Sequence, residues 1–273
     1  MPKTTTALTE TKTDEPLDVA VAIPDDLDSY TGYEGIDEDA LIIPRMKIVQ
    51  PTSKDGIPGT FLLNLTGEEF ETLESVIVIK VSRGRVMWDR DGNSELPLCR
   101  SYDFLNPDPT LEIPQNDKCA EYIVKGGKKI LQTVCPMGVW GDNSERPECG
   151  EVYNLLCVTG DRIPFWFALS GASIKPVRRY ISAIALRRKK LWMFETDLRL
   201  IEKKEPHKHY VLDFAPPKPI PQESLEEIFK LVTAFKNESI EQTLKAEEAA
   251  AKEGEEGGNA EWMDDKQDEE TPF

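Results

Sequence analysis

The chain has 273 residues and a formal net charge of −17, and 39% of its residues are hydrophobic, enough for one sizeable core or two small ones. No apolar run approaches the roughly 20 residues of a membrane-spanning helix, and five cysteines, an odd number, argue against a disulfide framework. Residues 1–6 lack the apolar stretch of a secretory signal, so we expect an intracellular, cytoplasmic protein.

The negative charge is concentrated at the two ends of the chain. Residues 1–40 carry eleven acidic and two basic residues, and residues 253–273 carry nine acidic residues and one basic residue. These segments, at −9 and −8, account for the whole net charge, so residues 41–252 are neutral, with 30 acidic and 30 basic residues. The acidic total therefore does not exclude a body that binds a polyanion.

Residues 1–40 are acidic and aperiodic, and we predict that they are disordered. Short runs rich in β-branched and aromatic residues follow this segment. The runs predict strands at 41–50, 60–64, 74–82, 151–158, 163–169, 191–201 and 210–214. Between them, residues 97–150 are broken by prolines, glycines and polar residues around two weaker strands, 120–124 and 129–134. This region is predicted to be a loop-rich insertion.

Two helices are predicted. Ser173 has the position of an N-cap, and Pro176 lies in the first turn, where a missing N–H costs least. Residues 215–252 combine a stiff proline-rich spacer with a second helix, for which Ser224 and a glutamate three residues later form a capping box. Residues 253–273 are then a disordered acidic tail.

This order of elements predicts a mainly β chain with a few helices, of the α+β class. Many short strands, one helix between strands and one helix after them favour a small antiparallel barrel of the OB-fold type. We place this domain at residues 41–214, with an enlarged, loop-rich, cysteine-containing insertion at 97–150 and a C-terminal helix within 215–252.

A basic segment, residues 173–204, carries ten basic and three acidic residues in the neutral body, with aromatic residues interleaved. This pattern is typical of a groove for single-stranded nucleic acid, where cations contact phosphates and aromatic faces stack on bases. The alternative is a solvated helix face beside a core strand, which explains Phe165 and Phe167 well but the four consecutive cations of 187–190 less well. The candidate DNA-binding residues are Arg83, Arg85, Trp88, Lys175, Arg178, Arg179, Arg187, Arg188, Lys189, Lys190 and Trp192.

Four cysteines lie in the loop-rich insertion: Cys99, Cys119, Cys135 and Cys149. Four thiolates can close a tetrahedral zinc site and supply folding free energy to a segment with little core. The spacings are long and there is no C-x₂-C pair, so reduced structural cysteines are the alternative. The fifth cysteine, Cys157, lies in an apolar strand and is predicted to be core.

The sequence carries no catalytic motif: H-E-x-x-H, G-x-S-x-G and the phosphate-binding G-x-x-x-x-G-K-[ST] are all missing. The histidines, His207 and His209, flank a lysine in a predicted hairpin loop. Asp89, Asp91 and Asn93 are predicted to form a turn rather than a Ca²⁺ loop, because no bidentate glutamate follows at the required distance. We therefore predict a protein that is not an enzyme and has no catalytic residues.

The last ten residues hold five acidic residues and one base and end in Pro-Phe. The final phenylalanine carries both an aromatic ring and the terminal carboxylate, so a partner can bind the ring in an apolar pocket and the carboxylate on a basic group. A purely solubilising tail is the alternative. The candidate partner-binding residues are Asp264, Asp265, Asp268, Glu269, Glu270, Pro272 and Phe273.

The tail resembles the acidic C-terminal tip of bacterial and phage single-stranded DNA-binding proteins. The body resembles the phage-type members in the general pattern of residues 43–50, the cysteine insertion and residues 170–176. The resemblance implies an OB-fold, binding of single-stranded DNA without strong sequence preference, and recruitment of DNA replication, recombination or repair proteins by the tail in a phage-infected bacterial cell. Phage proteins of this kind carry cysteines in the corresponding region, often with a tighter pair. Two other classes remain open: a zinc-stabilised adaptor or regulator that binds protein, and a metal-dependent nuclease.

Overall fold

The computed structural model describes residues 42–89, 97–111, 117–142, 145–204 and 208–245, so the predicted disordered ends and the acidic tail lie outside the described residues. The strands are β1 (Arg45–Ile48), β2 (Phe61–Leu63), β3 (Glu69–Phe70), β4 (Thr72–Met87), β5 (Cys99–Ser101), β6 (Ala120–Lys125), β7 (Lys128–Thr133), β8 (Gly150–Val158), β9 (Pro164–Ser170), β10 (Phe194–Lys203), β11 (His209–Phe214) and β12 (Lys218–Pro219). The helices are α1 (Ile174–Leu186) and α2 (Leu225–Phe235), and residues 240–245 are also helical.

The prediction of a mainly β chain with a few helices is confirmed. Ten strands form one curled sheet, a half-barrel, in the order β11-β10-β4-β8-β9-β1-β2-β3, with β5 added to β4 and β12 added to β10. The long strand β4 is central, since it pairs antiparallel with both β8 and β10. Its ladder to β8 shifts register between Val78 and Lys80, and such a bulge increases the local bend of a strand.

Gln50 connects two strands that are distant in the sheet order. Its side-chain amide donates to the backbone oxygen of Tyr210 and its side-chain oxygen accepts from the Tyr210 N–H, both at 2.9 Å. The carboxamide therefore bonds to β11 in the way that a neighbouring strand's peptide group does. Gly59 packs against the same tyrosine: its φ is +95°, and a Cβ atom there would lie 2.8 Å from the ring.

The inner face of the curled sheet carries the main core. Residues from both ends of the strand order, such as Phe61 in β2 and Leu212 in β11, belong to one buried cluster, which identifies this face as the inside of the curl. Helix α1 packs into the same cluster through Val177, Tyr180 and Ile184. Cys157 is 0% exposed in this cluster, so its prediction as a core residue is confirmed, and burial raises the pKa of its thiol.

The C-terminal helices pack on the outer face of the sheet. Ile228 of α2 is buried against Ile77 of β4, and Ile240 is buried in a cluster that includes Leu156 and Trp166. The ammonium group of Lys80 donates to the backbone oxygens at positions 236 and 238, at 3.1 and 2.7 Å. This lysine thereby fixes the link between the two helical segments to the sheet.

The predicted N-cap residues of both helices are correct, but the capping hydrogen bonds expected of them do not form. Ser173 and Ser224 occupy the N-cap positions of α1 and α2, yet neither side chain makes a capping hydrogen bond. The Ser173 hydroxyl instead accepts from the Leu212 N–H at 3.3 Å, and Glu227 pairs with Arg162 at 3.2 Å instead of closing a capping box. Tertiary partners have replaced the local ones.

Candidate nucleic-acid interface

A cleft of about 410 Å³ lies on the outer face, where β4, β8, β9 and β1 run side by side. Its floor is made of outward-facing residues, most of them small: Gly84, Val86, Val152, Asn154, Ala168 and Ser170. Glycine is required at position 84, because a Cβ atom there would lie 2.5 Å from the backbone oxygen of Ser101 in β5. A floor of this kind lets a ligand approach the sheet closely.

Aromatic and basic side chains face this cleft from two sides. Trp88 follows β4 and is 55% exposed, whereas Arg45 begins β1, with β8 and β9 lying between these two strands. The side chains that line the cleft above its floor include Arg45, Trp88, Arg100, Tyr102, Ile240 and Leu244. Aromatic faces and guanidinium groups around one groove are the elements that bind bases and phosphates of a single strand.

Arg100 is held in place by a buried ion pair. Its Nε atom lies 2.8 Å from Asp108, and the two side chains are only 6% and 1% exposed. Burial alone would favour the neutral acid, but hydrogen bonds from Thr110 and the Arg100 charge outweigh it and lower the pKa of Asp108 to about 2. The guanidinium also lies over the Tyr102 ring at 4.9 Å, so one pair positions both a cation and an aromatic ring at the cleft.

Two of the predicted DNA-binding arginines contact one buried ring, in what we call the Phe104 clamp (Arg83, Phe104 and Arg85). Their guanidinium carbons lie 4.0 and 4.3 Å from the ring centroid of Phe104, which has a φ of 68°. Arg85 is 6% exposed and donates to Thr133 and to the backbone oxygen of Gly138. Its side chain thus joins the insertion to β4, and its head group does not face solvent.

Arg83 and Arg178 share the carboxylate of Glu151. Arg83 Nε lies 2.7 Å from one oxygen of Glu151, and Arg178 Nη2 lies 2.6 Å from the other. Arg178 also donates to the Tyr153 hydroxyl at 2.9 Å. Two cations against one anion leave this group with a net positive charge at the rim of the inner face.

The remaining predicted cations lie on α1 and in the basic loop, which we define as Arg187, Arg188, Lys189 and Lys190. All four residues of the basic loop are exposed, as are Lys175 and Arg179. Lys190 lies 5.6 Å from the ring of Trp192, which is half-buried and packs against Phe229 at 6.2 Å. The predicted DNA-binding residues therefore fall into three places: the cleft wall, the Glu151 group, and α1 with the basic loop.

Most of the aromatic residues around the basic segment are core. Phe165 and Phe167 are 0% and 1% exposed on the inner face, and Trp166 is 1% exposed beneath the C-terminal helix. Tyr180 and Phe194 are also buried. For these residues the alternative interpretation, a core strand beside a solvated helix, is confirmed.

Arg45, Arg100 and Tyr102 line the cleft and were not predicted as site residues. Each stands apart from the basic run in the sequence, and only the sheet order brings them to one surface. Local charge and aromatic content carry no signal for such a site. Knowledge that β5 adds to β4, and β1 to β9, would have been needed.

The four insertion cysteines converge despite their long spacings. All of them are buried, and none of them forms a disulfide. Burial raises the pKa of Cys119 to about 11, and the nearby thiols of Cys99 and Cys135 raise it further. The pKa of Cys149 also rises to about 11, mainly by burial, with Arg85 opposing and the other three thiols contributing.

The donor set of these four thiols suits zinc, which binds four thiolates in structural sites. The turn Cys135–Gly138 is closed by a hydrogen bond from the Gly138 N–H to the Cys135 oxygen at 3.0 Å, and the Cys149 N–H donates to the Met137 oxygen at 2.8 Å. Across the described part of the chain, however, no group of three or more His, Cys, Asp or Glu side chains is arranged to hold a metal ion. The four thiols are chemically suited to zinc, but their arrangement does not show a metal site, so zinc binding stays a prediction.

Comparison of the chain with protein-family models, with curated proteins and with solved structures finds no match in any of the three. Among the described residues, no helix is long and apolar enough to cross a membrane. What the protein does has to be inferred from its cleft, its charged surfaces and its sequence.

Proposed function

We propose that this protein binds single-stranded DNA without strong sequence preference and recruits replication, recombination or repair proteins through its acidic C-terminal tail, inside a phage-infected bacterial cell. The observation that carries the proposal is the outer-face cleft, with Trp88 exposed on one side and Arg45 on the other. Stacking is tolerant of sequence because every base has an aromatic face, and phosphate contacts are independent of sequence. The proposal assigns the protein no catalytic step.

The strand connectivity supports an OB-fold-like reading of the barrel. Strands β4, β8 and β9 are consecutive antiparallel neighbours, α1 follows, and β10 returns to pair with β4 before β11 pairs with β10. This is the Greek-key order expected of that fold, with β1 to β3 added beside β9. OB-folds bind oligonucleotides on the face of their second and third strands. In the proposed OB-fold these strands would be β8 and β9, which lie beneath the cleft.

Cations outside the cleft support a second, non-specific contribution to binding. Lys175, Arg179 and the basic loop are exposed, so phosphates can reach them without breaking the core. Each phosphate neutralised on a single strand contributes about −0.7 to the slope of log affinity against log salt. We therefore expect affinity to fall steeply as salt rises.

The acidic tail is proposed to compete for the cleft when DNA is absent and to bind partners when DNA displaces it. Leu244 lines the cleft, and Lys245 lies close enough to interact electrostatically with Asp108 and Arg100. The described chain thus ends beside the cleft, and the acidic residues of the tail follow. Deleting residues 264–273 should leave DNA binding unchanged or tighter and abolish partner recruitment. Weaker DNA binding after that deletion would contradict the competitor role.

The primary test is a fluorescence titration with labelled oligo-dT at two salt concentrations. We expect binding at low salt and marked weakening at high salt. Trp88→Ala should weaken binding about tenfold, which lies within the range measured for loss of one stacked base. Trp140→Ala is the matched control, because Trp140 is 64% exposed but lies in the insertion outside the cleft lining. No binding of the wild-type chain at low salt would end the DNA proposal, and cleavage of the oligonucleotide with Mg²⁺ would favour a nuclease.

One observation favours the second candidate, a zinc-stabilised adaptor that binds protein. Val139 and Trp140 are 50% and 64% exposed, next to a cavity of about 430 Å³ lined by Met137, Val139 and Arg146 among others. Exposed apolar side chains beside a cavity are typical of protein interaction sites. Loss of a bound protein partner in Trp140→Ala, together with absence of DNA binding, would select this function.

A further inference from the structure

The hairpin formed by β6 and β7 projects from the insertion as a separate two-stranded sheet. Both of its faces are largely exposed, including Tyr122 at 55%, Val124 at 77% and Ile130 at 39%. An isolated hairpin is only marginally stable in water, and exposed apolar side chains of this kind mark interaction surfaces. These features are typical of a hairpin that binds a ligand or partner outside the barrel.

The tip of the hairpin is strongly basic. Its turn has the sequence Lys-Gly-Gly-Lys-Lys, and Gly126 and Gly127 have φ values of 58° and 75°, as a tight two-residue hairpin turn requires. The exposed tip lysines are Lys125, Lys128 and Lys129. The ammonium group of Lys129 lies 4.5 Å from the centroid of the Tyr122 ring, so a cation and an aromatic ring share one face.

The base of the hairpin is anchored to the end of β4, whose outer face forms part of the cleft floor. The N–H groups of Cys119 and Ala120 donate to the Leu105 oxygen at 2.7 and 3.2 Å, and Thr133 accepts from Arg85. Arg85 also lines the cleft. A strand of six residues rises about 3.3 Å per residue, so the tip stands on the order of 20 Å from this anchor.

We propose that the β6–β7 hairpin is an arm that extends the single-stranded DNA path beyond the cleft, with its tip lysines on phosphates and Tyr122 stacked on a base. This inference rests on the proposed function. We infer that the hairpin binds nucleic acid for two reasons. Its three tip lysines, with no acidic residue in the turn, complement a phosphate backbone, and the aromatic ring beside them can stack on a base.

The test uses the full chain and two labelled oligo-dT probes, one of about 5 nucleotides, near the lower end of the site size of an OB-fold, and one of about 20. The variants are the triple K125Q/K128Q/K129Q, Tyr122→Ala and Tyr122→Phe. The control triple K47Q/K54Q/K230Q changes the net charge equally at exposed lysines outside the hairpin and the cleft lining.

For the long probe we expect about tenfold weaker binding with the hairpin triple, a salt slope smaller by up to about 2, and near wild-type affinity with the control triple. Tyr122→Ala should weaken long-probe binding about tenfold and Tyr122→Phe should restore it. The short probe should bind all variants equally.

If the hairpin variants bind both probes as tightly as the wild type does, the proposal that the hairpin binds DNA is wrong. Equal weakening for both probes would overturn it too, since the hairpin would then act only by shaping the cleft. If the wild-type chain binds neither probe, the proposed function itself fails, so the two failures are distinguishable.

Discussion

The curled sheet, called the barrel below, and the insertion are each stabilised by a different kind of contact. The barrel has a continuous inner core in which Phe61, Leu155 and Phe167 are at most 1% exposed. The insertion has a small cluster of Met87, Cys99 and Cys149, and it is joined to the barrel by a few polar and aromatic contacts around the Phe104 clamp. Apolar packing spreads stabilisation over many residues of the barrel, whereas the insertion depends on a few contacts. A single substitution in the barrel core should therefore destabilise the whole chain, and one at an insertion contact should destabilise the insertion alone.

The largest effect is expected for Phe167→Ala in the barrel. Its ring packs edge-on against Phe61 at 5.9 Å, and removing a buried aromatic ring costs about 3–5 kcal/mol. The loss should appear in the free energy of unfolding from denaturant titration and should affect the whole chain. Leu186→Ala is the control, because Leu186 is 84% exposed and should change stability by less than about 0.5 kcal/mol.

A smaller and more local effect is expected for Arg85→Met. The change removes the bonds to Thr133 and Gly138, and hydrogen bonds to charged groups contribute about 1.5–3 kcal/mol. Backbone amides of residues 117–142 should exchange hydrogen faster, while those of β8 and β9 stay protected. Arg83→Met is the matched control, since Arg83 contacts the same ring but bonds to Glu151 in the barrel. Equal loss of protection in barrel and insertion would contradict the proposed division.

Zinc removal should act on the insertion alone. Thiols must lose their protons to bind the metal, and the pKa values of Cys119 and Cys149 are raised to about 11, so zinc binding should release protons and weaken as pH falls. We expect a chelator to increase hydrogen exchange in residues 117–142 and leave Cys157 unreactive toward alkylating reagents. A chain that retains no zinc above pH 8 with all four thiols reduced would contradict the zinc site.

The last effect is expected for Asp108→Asn, and it depends on pH. The pKa of Asp108 is about 2 in the folded chain against 3.8 for the unperturbed group, so its ion pair stabilises the fold fully above pH 3.8, and that contribution is lost as pH falls toward 2. Wild type should therefore lose more of its melting temperature than Asp108→Asn between pH 5 and pH 2. Parallel curves for the two chains would show that the pair contributes no pH-dependent stability.

Sequence reasoning placed the barrel elements well. Strands β8 and β9 and the start of α1 lie within one residue of their predicted bounds, because continuous β-branched runs and a proline in the first helical turn are local signals. Strand β4 is longer than the predicted 74–82. The prediction missed residues 83–87, because two arginines and a glycine there weaken the strand pattern.

The candidate site was less accessible to prediction. Four consecutive cations are conspicuous in the sequence and lie in an exposed loop. The cleft instead gathers single residues, such as Arg45 of β1 and Arg100 of β5, that only the folded sheet brings to one face. The same holds for the cysteines, whose spacing hides a proximity that pairing of β5 with β4 creates. Contacts between residues far apart in the chain cannot be predicted from the local sequence pattern.

The bridge between Gln50 and Tyr210 also has a consequence for the order of folding. The two residues are 160 positions apart, so closing this loop costs chain entropy that short-range pairing does not. The meander of β4, β8 and β9 can form without the bridge, which makes closure a late event. Gln50→Ala should then accelerate unfolding and leave the folding rate nearly unchanged, the behaviour of a contact made after the rate-limiting barrier.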